Sequence, residues 1–211
     1  MLYEIKNLKF KDILDINQMS IVHQKVTCIL GESGGGKTTL LKLFNKMISP
    51  TEGMVTYEGQ DLQEMNSVVL RKKVLMLNQK PFIFKGTIKD NLEFGLKLHH
   101  MKLSDEELLK QLETVHLHKT LDFDASKLSG GEAQRLALVR LLILNPDVVL
   151  LDEPSSALDE ETEKLVIEHI TTFVRSSKKT LIMVTHSKDI AMKYADHIIY
   201  MDKGKIKEVQ S

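Results

Sequence analysis

The amino-acid sequence predicts an α/β fold in which helices flank a parallel β-sheet. Three short apolar runs, residues 26–30, 74–77 and 148–151, are each followed at once by glycine or polar residues. Continuous apolar runs of this length are typical of strands that are buried on both faces of a parallel sheet. Between the second and third runs, over residues 81–145, the hydrophobic pattern is mostly helical.

The length of 211 residues predicts one domain, residues 1–211. Within it we expect a core at about 1–79 and 147–211, and a helical subdomain inserted at about 80–146. We find no internal repeat or linker that would divide the chain further.

The chain before the first glycine-rich stretch is predicted to form strands over residues 2–10 and 20–30, with a turn near His23 and Gln24. The second strand leads into a loop that begins at Gly31.

A helix follows this loop, and its end is marked by the turn at residues 49–53, which contains Pro50 and Gly53. Residues 54–57 are predicted as a strand, and residues 66–73 as a short helix before the apolar strand 74–77.

The helical segment contains two helix-start signals. Thr87–Asp90 and Ser104–Glu107 both match the capping box, in which a Ser or Thr side chain and an acidic side chain bond each other's backbone N–H groups. After strand 148–151, the pattern predicts a helix at about 160–175, a strand at 181–185, a helix near 189–194 and two terminal strands.

Composition excludes some function classes. Lys plus Arg and Asp plus Glu are both 29, so the net charge is zero and no general attraction to nucleic acid is expected. The lone Cys28 cannot form an internal disulfide, which favours a reducing compartment. We expect no signal peptide and no membrane span, so any membrane association is expected to come through a partner.

The loop after the first apolar run has the pattern of a phosphate-binding loop. Gly31, Gly36, Lys37 and Thr38 fit Gly, four free positions, then Gly-Lys-Thr, with a strand before and a helix after. Glycines allow backbone N–H groups to face a triphosphate, and the helix dipole favours the same anion. The predicted binding residues are Gly31, Glu32, Ser33, Gly34, Gly35, Gly36, Lys37, Thr38 and Thr39.

Two carboxylates end the third apolar run. Asp152 is expected at the carboxyl edge of the sheet, where it can hold Mg²⁺ opposite the Thr38 hydroxyl. The adjacent Glu153 is a candidate base that orients and deprotonates a water molecule.

The order of motifs resembles the ATP-binding-cassette (ABC) ATPases over essentially the whole chain. The motifs are the phosphate-binding loop, Gln79, Leu128-Ser129-Gly130-Gly131-Glu132, Leu150-Leu151-Asp152-Glu153-Pro154, Ser156-Ala157-Leu158-Asp159 and Thr185-His186. The resemblance implies a P-loop NTPase (RecA-like) core, an N-terminal antiparallel β subdomain and an inserted α-helical signature subdomain. It also implies ATP and Mg²⁺ as cofactors.

The resemblance further implies a role for each matching residue. Gln79 would contact Mg²⁺ and the attacking water, and His186 would bond the γ-phosphate and steady Glu153. Asp159 would couple two ATP sites. Ser129, Gly130 and Gly131 would contact the γ-phosphate of ATP that a second copy of the chain holds.

One expected feature is missing. Family members often carry an aromatic residue that stacks on adenine, and here the corresponding place falls near Lys11 and Asp12. Phe10 or Tyr3 could substitute, although we expect Phe10 to face the core.

The sequence leaves three functions open. The first is the ATPase subunit of a transporter, bound to the inner face of the membrane through a separate permease. The export-type loop at 79–92 and the turn at 48–53 resemble metal (iron) export subunits, and Phe82 and Phe84 would suit a permease helix. The second is a soluble cassette that works on DNA or ribosomes, which the balanced charge disfavours. The third is an ATP-dependent regulator of a cell-envelope complex.

Overall fold

The computed structural model describes residues 1–155 and 157–210. The chain forms ten strands and seven α-helices within these ranges. The strands are β1 (Tyr3–Phe10), β2 (Leu14–Ile21), β3 (Val26–Leu30), β4 (Glu52–Tyr57), β5 (Gln60–Asp61), β6 (Val74–Leu77), β7 (Val148–Asp152), β8 (Thr180–Val184), β9 (His197–Asp202) and β10 (Lys205–Gln210). The helices are α1 (Lys37–Phe44), α2 (Ser67–Lys73), α3 (Ile88–Leu98), α4 (Asp105–Glu113), α5 (Gly130–Leu142), α6 (Glu160–Ser176) and α7 (Lys188–Tyr194).

The larger sheet has six strands in the order β10-β9-β3-β8-β7-β6. The five strands from β9 to β6 run parallel, and β10 pairs antiparallel to β9 at one edge. Parallel neighbours end at the same edge of a sheet. The residues that follow β3, β6, β7 and β8 therefore meet along one edge, where ligands bind in folds of this kind.

The smaller sheet is antiparallel, in the order β2-β1-β4-β5. Strand β1 is central, with Tyr3 opposite Ile21 of β2 on one side and Tyr57 of β4 on the other. Every second or third side chain of β1 and β2 is buried, as expected of a sheet with one face on the core.

Two apolar clusters lie on opposite faces of the parallel sheet. In β7, Val149 and Leu151 pack into the cluster that α3 to α7 cover, while Val148 and Leu150 pack into the cluster formed with α1 and the smaller sheet. Because side chains alternate along a strand, one continuous apolar run supplies both layers.

Reciprocal capping boxes open the three helices that lie between β6 and β7 in sequence. Thr87, Ser104 and Ser129 each accept a hydrogen bond from the third residue of the helix, whose acidic side chain accepts the N–H of the capping residue. The helix starts predicted at Thr87 and Ser104 are confirmed.

Most predicted elements agree with the structure to within two residues, and the α/β prediction with an additional antiparallel sheet is confirmed. The turn predicted near His23 and Gln24 is confirmed, but the strand before it begins at Leu14 and not at residue 20. The chain forms β2 from Leu14 to Ile21 and then β3, with Gln24 in a left-handed conformation at the turn between them. The buried residues of β2 are spaced irregularly, which weakens the alternation signal.

Across the described ranges, none of the helices has the length and apolar character needed to cross a bilayer.

Candidate functional site

The phosphate-binding loop connects β3 to α1 in a conformation that only glycine accommodates. Gly36 caps α1 in the left-handed region, at φ 90°, and a Cβ atom there would lie 2.6 Å from Cδ2 of Leu14. A Cβ on Gly31 would lie 2.1 Å from the backbone oxygen of Met201. No side chain caps α1, so its first N–H groups remain accessible to an anion.

A pocket of about 380 Å³ lies over this loop. It brings together residues that follow β3, β6, β7 and β8. The lining residues are Ile13, Ser33, Gly34, Gly35, Gly36, Lys37, Thr38, Thr39, Gln79, Glu153 and His186. The predicted residues Gly31, Glu32 and Asp152 do not line it, but each contacts a residue that does.

The Lys37 ammonium is held by the loop itself. Its Nζ donates to the carbonyl oxygens of Gly31, at 2.7 Å, and Glu32, at 2.8 Å. An ammonium has three N–H donors, so one is left for a phosphate oxygen. Lys37 is 5% exposed, and its burial lowers the pKa of the ammonium, against the raising effect of the Glu153 and Asp152 carboxylates.

Thr38 and Asp152 form an oxygen-rich pair beside Lys37. The Thr38 hydroxyl lies 2.9 and 2.8 Å from the two carboxylate oxygens of Asp152. Burial raises the pKa of the Asp152 carboxyl, and the hydrogen bond from Thr38 opposes that shift. A hydroxyl beside a carboxylate is a ligand set that suits Mg²⁺, which prefers oxygen and shares its coordination with phosphates.

Both carboxylate oxygens of Glu153 have side-chain partners in the pocket. Its Oε2 accepts from Nε2 of Gln79 at 2.5 Å, and its Oε1 lies 2.6 Å from Nε2 of His186. Its backbone has φ 47°, an uncommon conformation for a residue with a side chain, and its N–H donates to the carbonyl oxygen of Val184. The carboxylate is therefore fixed between two side chains that come from other strand ends.

Ser129, Gly130 and Gly131, which we call the signature residues, lie outside this pocket. Ser129 is exposed and caps α5, where its Oγ accepts from the N–H of Glu132, and Glu132 Oε2 accepts from the N–H of Ser129 at 2.8 Å. Lys119 lies 3.1 Å from the same Glu132 carboxylate. Gly131 packs closely against Ala157 and Leu158, since an added Cβ would lie 3.0 Å from the Ala157 oxygen.

Asp159 has a structural partner in its own chain. It caps α6, and its carboxylate accepts from the backbone N–H and the hydroxyl of Thr162 at 2.9 and 2.8 Å. These hydrogen bonds lower the pKa of the Asp159 carboxyl. Ser156, in the same motif, lies outside the described residues.

The structure corrects one candidate for adenine stacking and adds a residue that sequence reasoning missed. Tyr3 is fully buried, its hydroxyl donates to the Phe44 carbonyl and its ring packs on Phe44, so it cannot reach a base. Phe10 is half-buried against the core, as expected. Ile13 is 41% exposed and lines the pocket. It is next to Lys11 and Asp12, where the sequence placed the adenine-stacking position, but it is not aromatic and was therefore not named as a candidate.

Comparison with known proteins gives a consistent result. The family model described as ABC transporter matches residues 14–156. Protein STAR1 of rice (Oryza sativa subsp. japonica) is 37% identical over 94% of this chain, which spans only 58% of the rice protein. The tungstate uptake system ATP-binding protein of Peptoclostridium acidaminophilum is 32% identical, with 93% of this chain and 90% of that protein covered.

A solved structure matches the whole fold. It is a dimeric, post-hydrolysis state of an ATP-binding cassette bound to ADP and Pi, with a TM-score of 0.85 and 26% identity, covering 99% of this chain and 98% of that one. The chain therefore belongs to the ABC transporter family, as one of its ATPase cassettes.

Proposed function

We propose that two copies of this chain bind two molecules of Mg-ATP between them and hydrolyse the ATP to drive a separate membrane permease. The observation that carries the proposal is the position of Glu153. It lies in the pocket over the phosphate-binding loop and is held between Gln79 and His186. A fixed carboxylate at this place is suited to act on a water molecule beside the γ-phosphate.

We assign nucleotide binding to the loop from Gly31 to Thr39. Its backbone N–H groups and the third N–H of Lys37 would contact the phosphates. Thr38, Asp152 and Gln79 would hold Mg²⁺, which neutralises charge on the β- and γ-phosphates when bound. Ile13 would contribute apolar surface near the base or sugar.

We assign proton transfer to Glu153, which would accept a proton from water, while Gln79 and His186 hold its two oxygens. Ser129, Gly130 and Gly131 would complete the site of the other copy. The Gly130 and Gly131 N–H groups at the start of α5 are the donors we expect to face that γ-phosphate. Asp159 would transmit the state of one site to the other while it caps α6.

The dimeric cassette bound to ADP and Pi supports this two-copy arrangement, because its match covers 99% of this chain and 98% of that one. The separation of Ser129 from the pocket in this chain agrees with a site that needs a second copy.

We propose that the permease binds a groove of about 620 Å³ between α2, β6, α3 and α5. Phe84 and Phe94 line it, with Phe94 46% exposed, and Phe82 beside it is 69% exposed. Apolar exposure of this extent favours a protein interface. Through this contact the chain would lie on the inner face of the cell membrane.

We predict that the cargo is a metal, specifically iron, and that the direction of transport is export. This prediction depends on the resemblance of residues 79–92 to export-type loops, whereas the relative from Peptoclostridium acidaminophilum is named as an uptake protein. Accumulation of radioactive iron in cells that lack the chain, compared with cells that carry it, distinguishes the two directions. Higher iron in the cells that lack it supports export.

Replacement of Glu153 by Gln tests the central assignment. Phosphate release is expected to fall about 10²–10⁴-fold, because the base is lost while size and shape are kept. Mg-ATP binding is expected to persist, since Lys37, Thr38 and Asp152 are unchanged, and ATP-dependent dimers are expected to accumulate in light scattering. Glu4→Gln, an exposed change on β1, is the matched control. Normal hydrolysis by the Glu153→Gln chain would falsify the assignment.

A further inference from the structure

The chain leaves the pocket at Glu153 through a backbone conformation that needs support. Glu153 has φ 47°, in the left-handed region, which is uncommon for a residue with a Cβ atom and persists only where neighbouring contacts hold it. On the side of the sheet, its N–H donates to the Val184 carbonyl at 3.0 Å, and Gln79 and His186 contact its carboxylate. The chain that follows Glu153 must also be held if the carboxylate is to keep one position.

Ser155 supplies a contact on that following side. Pro154 has neither an N–H nor a polar side chain, so Ser155 is the first residue after Glu153 that can donate a hydrogen bond. Its Oγ donates to Oε1 of Glu163, eight residues further along the chain. Its carbonyl accepts from the N–H of Leu158 at 2.9 Å, which closes a turn. Both bonds restrict how Ser155 can move.

The acceptor, Glu163, belongs to a helix that packing holds in place. It lies in the first turn of α6, where its N–H donates to the Asp159 carbonyl at 2.8 Å. Buried side chains farther along α6 pack into the core, namely Val166, Ile167 and Ile170. The bond between Ser155 and Glu163 therefore ties the loop after Glu153 to a fixed element.

Glu163 differs from the other acidic residues of this turn. Glu160 is exposed and lies 2.6 Å from Lys164, and Glu161 is exposed. Glu163 is half-buried and lines a pocket of about 200 Å³, whose other lining residues are Glu153, Ser155, Thr185, His186 and Ser187. The bond between Ser155 and Glu163 thus faces the same small space as the contact between Glu153 and His186.

We infer that Glu163 is a positioning residue for ATP hydrolysis. By accepting from Ser155 it would hold the loop after Glu153, and so keep the Glu153 carboxylate where it can act on water. The inference rests on the proposed function, because it takes Glu153 as the base. Among the described residues, Glu163 is not in the lining of the pocket over the phosphate-binding loop, so it would act through Ser155 and not on the nucleotide.

Substitutions at both ends of the bond test the inference. Ser155→Ala and Glu163→Ala are each expected to lower kcat about 10- to 100-fold, because a small misplacement of a reacting group is costly. The KM for ATP, and the Mg-ATP affinity in titration calorimetry, should stay within about 2-fold of the parent values, since the lost contact does not bind ATP. Phosphate release is measured at a chain concentration above which specific activity no longer rises, so that dimer formation does not limit it.

Conservative variants separate the hydrogen bond from the charge. Ser155→Thr keeps the hydroxyl and Glu163→Gln keeps an acceptor oxygen, so each should retain kcat within about 3-fold of the parent, the Gln variant through a weaker neutral bond. Glu161→Ala is the matched control, because it removes an acidic residue from the same turn of α6, and its kcat should equal that of the parent. If Glu163→Gln loses as much as Glu163→Ala, the charge matters and the positioning role is wrong.

The two residues should also act as one unit. The double variant Ser155→Ala, Glu163→Ala should lose no more activity than either single variant, because all three lack the same bond. Losses that multiply would mean that the two side chains act separately, against the inference. Where Glu163→Ala fails to fold, the comparison of Ser155→Ala with Ser155→Thr still decides, since equal kcat values for these two chains overturn the inference.

A last comparison asks whether the effect passes through Glu153. In a chain that already carries Glu153→Gln, Ser155→Ala should lower the single-turnover rate by less than about 2-fold, because the base that it would misplace is gone. ATP-dependent dimers should still form in light scattering. A further loss as large as in the parent, or a loss of these dimers, would show a general structural effect and overturn the positioning role.

Failure of this inference and failure of the proposed function give different results. A Ser155→Ala chain with the kcat of the parent removes the role of Glu163 and leaves the assignment of Glu153 intact. Normal hydrolysis by the Glu153→Gln chain removes the base itself, and the positioning role is then lost with it.

Discussion

Two glycine-containing turns open helices in this chain, and they differ in how their donors are used. At α1, Gly36 is the capping residue and no side chain bonds the first turn. At α5, Ser129 and Glu132 form a reciprocal capping box, so an acidic side chain already occupies the positive end of the helix. The first turn is suited to bind phosphate within its own chain. The second has only the Gly130 and Gly131 N–H groups to offer.

The carboxylates near the two turns also differ, in how folding shifts their pKa. Burial raises the pKa of the Asp152 carboxyl near α1, whereas the N–H of Ser129 lowers the pKa of the Glu132 carboxyl at α5. Folding therefore disfavours the charge of Asp152 and favours that of Glu132. A bound cation would offset the cost of the charge on Asp152, whereas the charge on Glu132 stabilises its own helix.

The largest expected effect concerns phosphate binding at the start of α1. Lys37→Ala should weaken Mg-ATP binding by about 10²-fold or more, because a charge-assisted contact to phosphate is lost. Titration calorimetry measures this, with Lys6→Ala on the exposed part of β1 as the control. Equal affinity of the parent and the Lys37→Ala chain would contradict the phosphate-binding role.

The next effect tests whether the turn at α5 serves another copy. Lys37→Ala and Ser129→Arg chains are each expected to be inactive. In an equal mixture with random pairing, about half of the dimers are mixed and each has one intact site of two, so about a quarter of the parent ATPase should return. If mixed dimers form but activity stays at the level of the separate variants, the two turns do not combine between chains.

Much of the site at the start of α1 could be predicted from the sequence. The motifs that contain Lys37, Gln79, Glu153 and His186 each follow an apolar run. Because parallel strands end at one edge of a sheet, these residues were expected to lie close together. Their exact roles remain proposals.

Other features could not be predicted, because they depend on packing between distant segments. Ile13 reaches the pocket through a turn whose backbone contacts Gly36 and Gly204. The lining of the groove proposed for the permease comes from α2, β6, α3 and α5 and their flanking residues, and appears in no single stretch of sequence. The Tyr3 ring packs on Phe44, 41 residues away, and therefore cannot reach a nucleotide.

A smaller effect tests the turn at α5. Glu132→Gln keeps the capping shape but removes the charge, so at pH 7 we expect a loss of about 0.3–1 kcal/mol, or up to about 4 °C in the midpoint of thermal unfolding. The folded-state pKa of Glu132 is lowered, so its contribution is present above the unfolded pKa and is lost as the pH falls through the folded value. The two chains should converge only when the pH lies below the lowered folded-state pKa of Glu132. A difference that persists there would contradict the charge effect.

The last expected effect has the opposite sign and a similar size, and it completes the comparison. The folded-state pKa of Asp152 is raised, so the penalty for its charge is absent below the unfolded pKa and is fully present above the folded one. At pH 7 and without nucleotide, Asp152→Asn should raise the midpoint of thermal unfolding by up to about 4 °C, because the new amide oxygen still accepts from Thr38. Added Mg-ATP should reverse the order, since a carboxylate binds the metal more tightly than the neutral amide of the variant does. Thermal scans with and without Mg-ATP measure both. An Asp152→Asn chain that is less stable without nucleotide would contradict the penalty for the Asp152 charge, and an order that Mg-ATP leaves unchanged would contradict a cation site at Thr38 and Asp152.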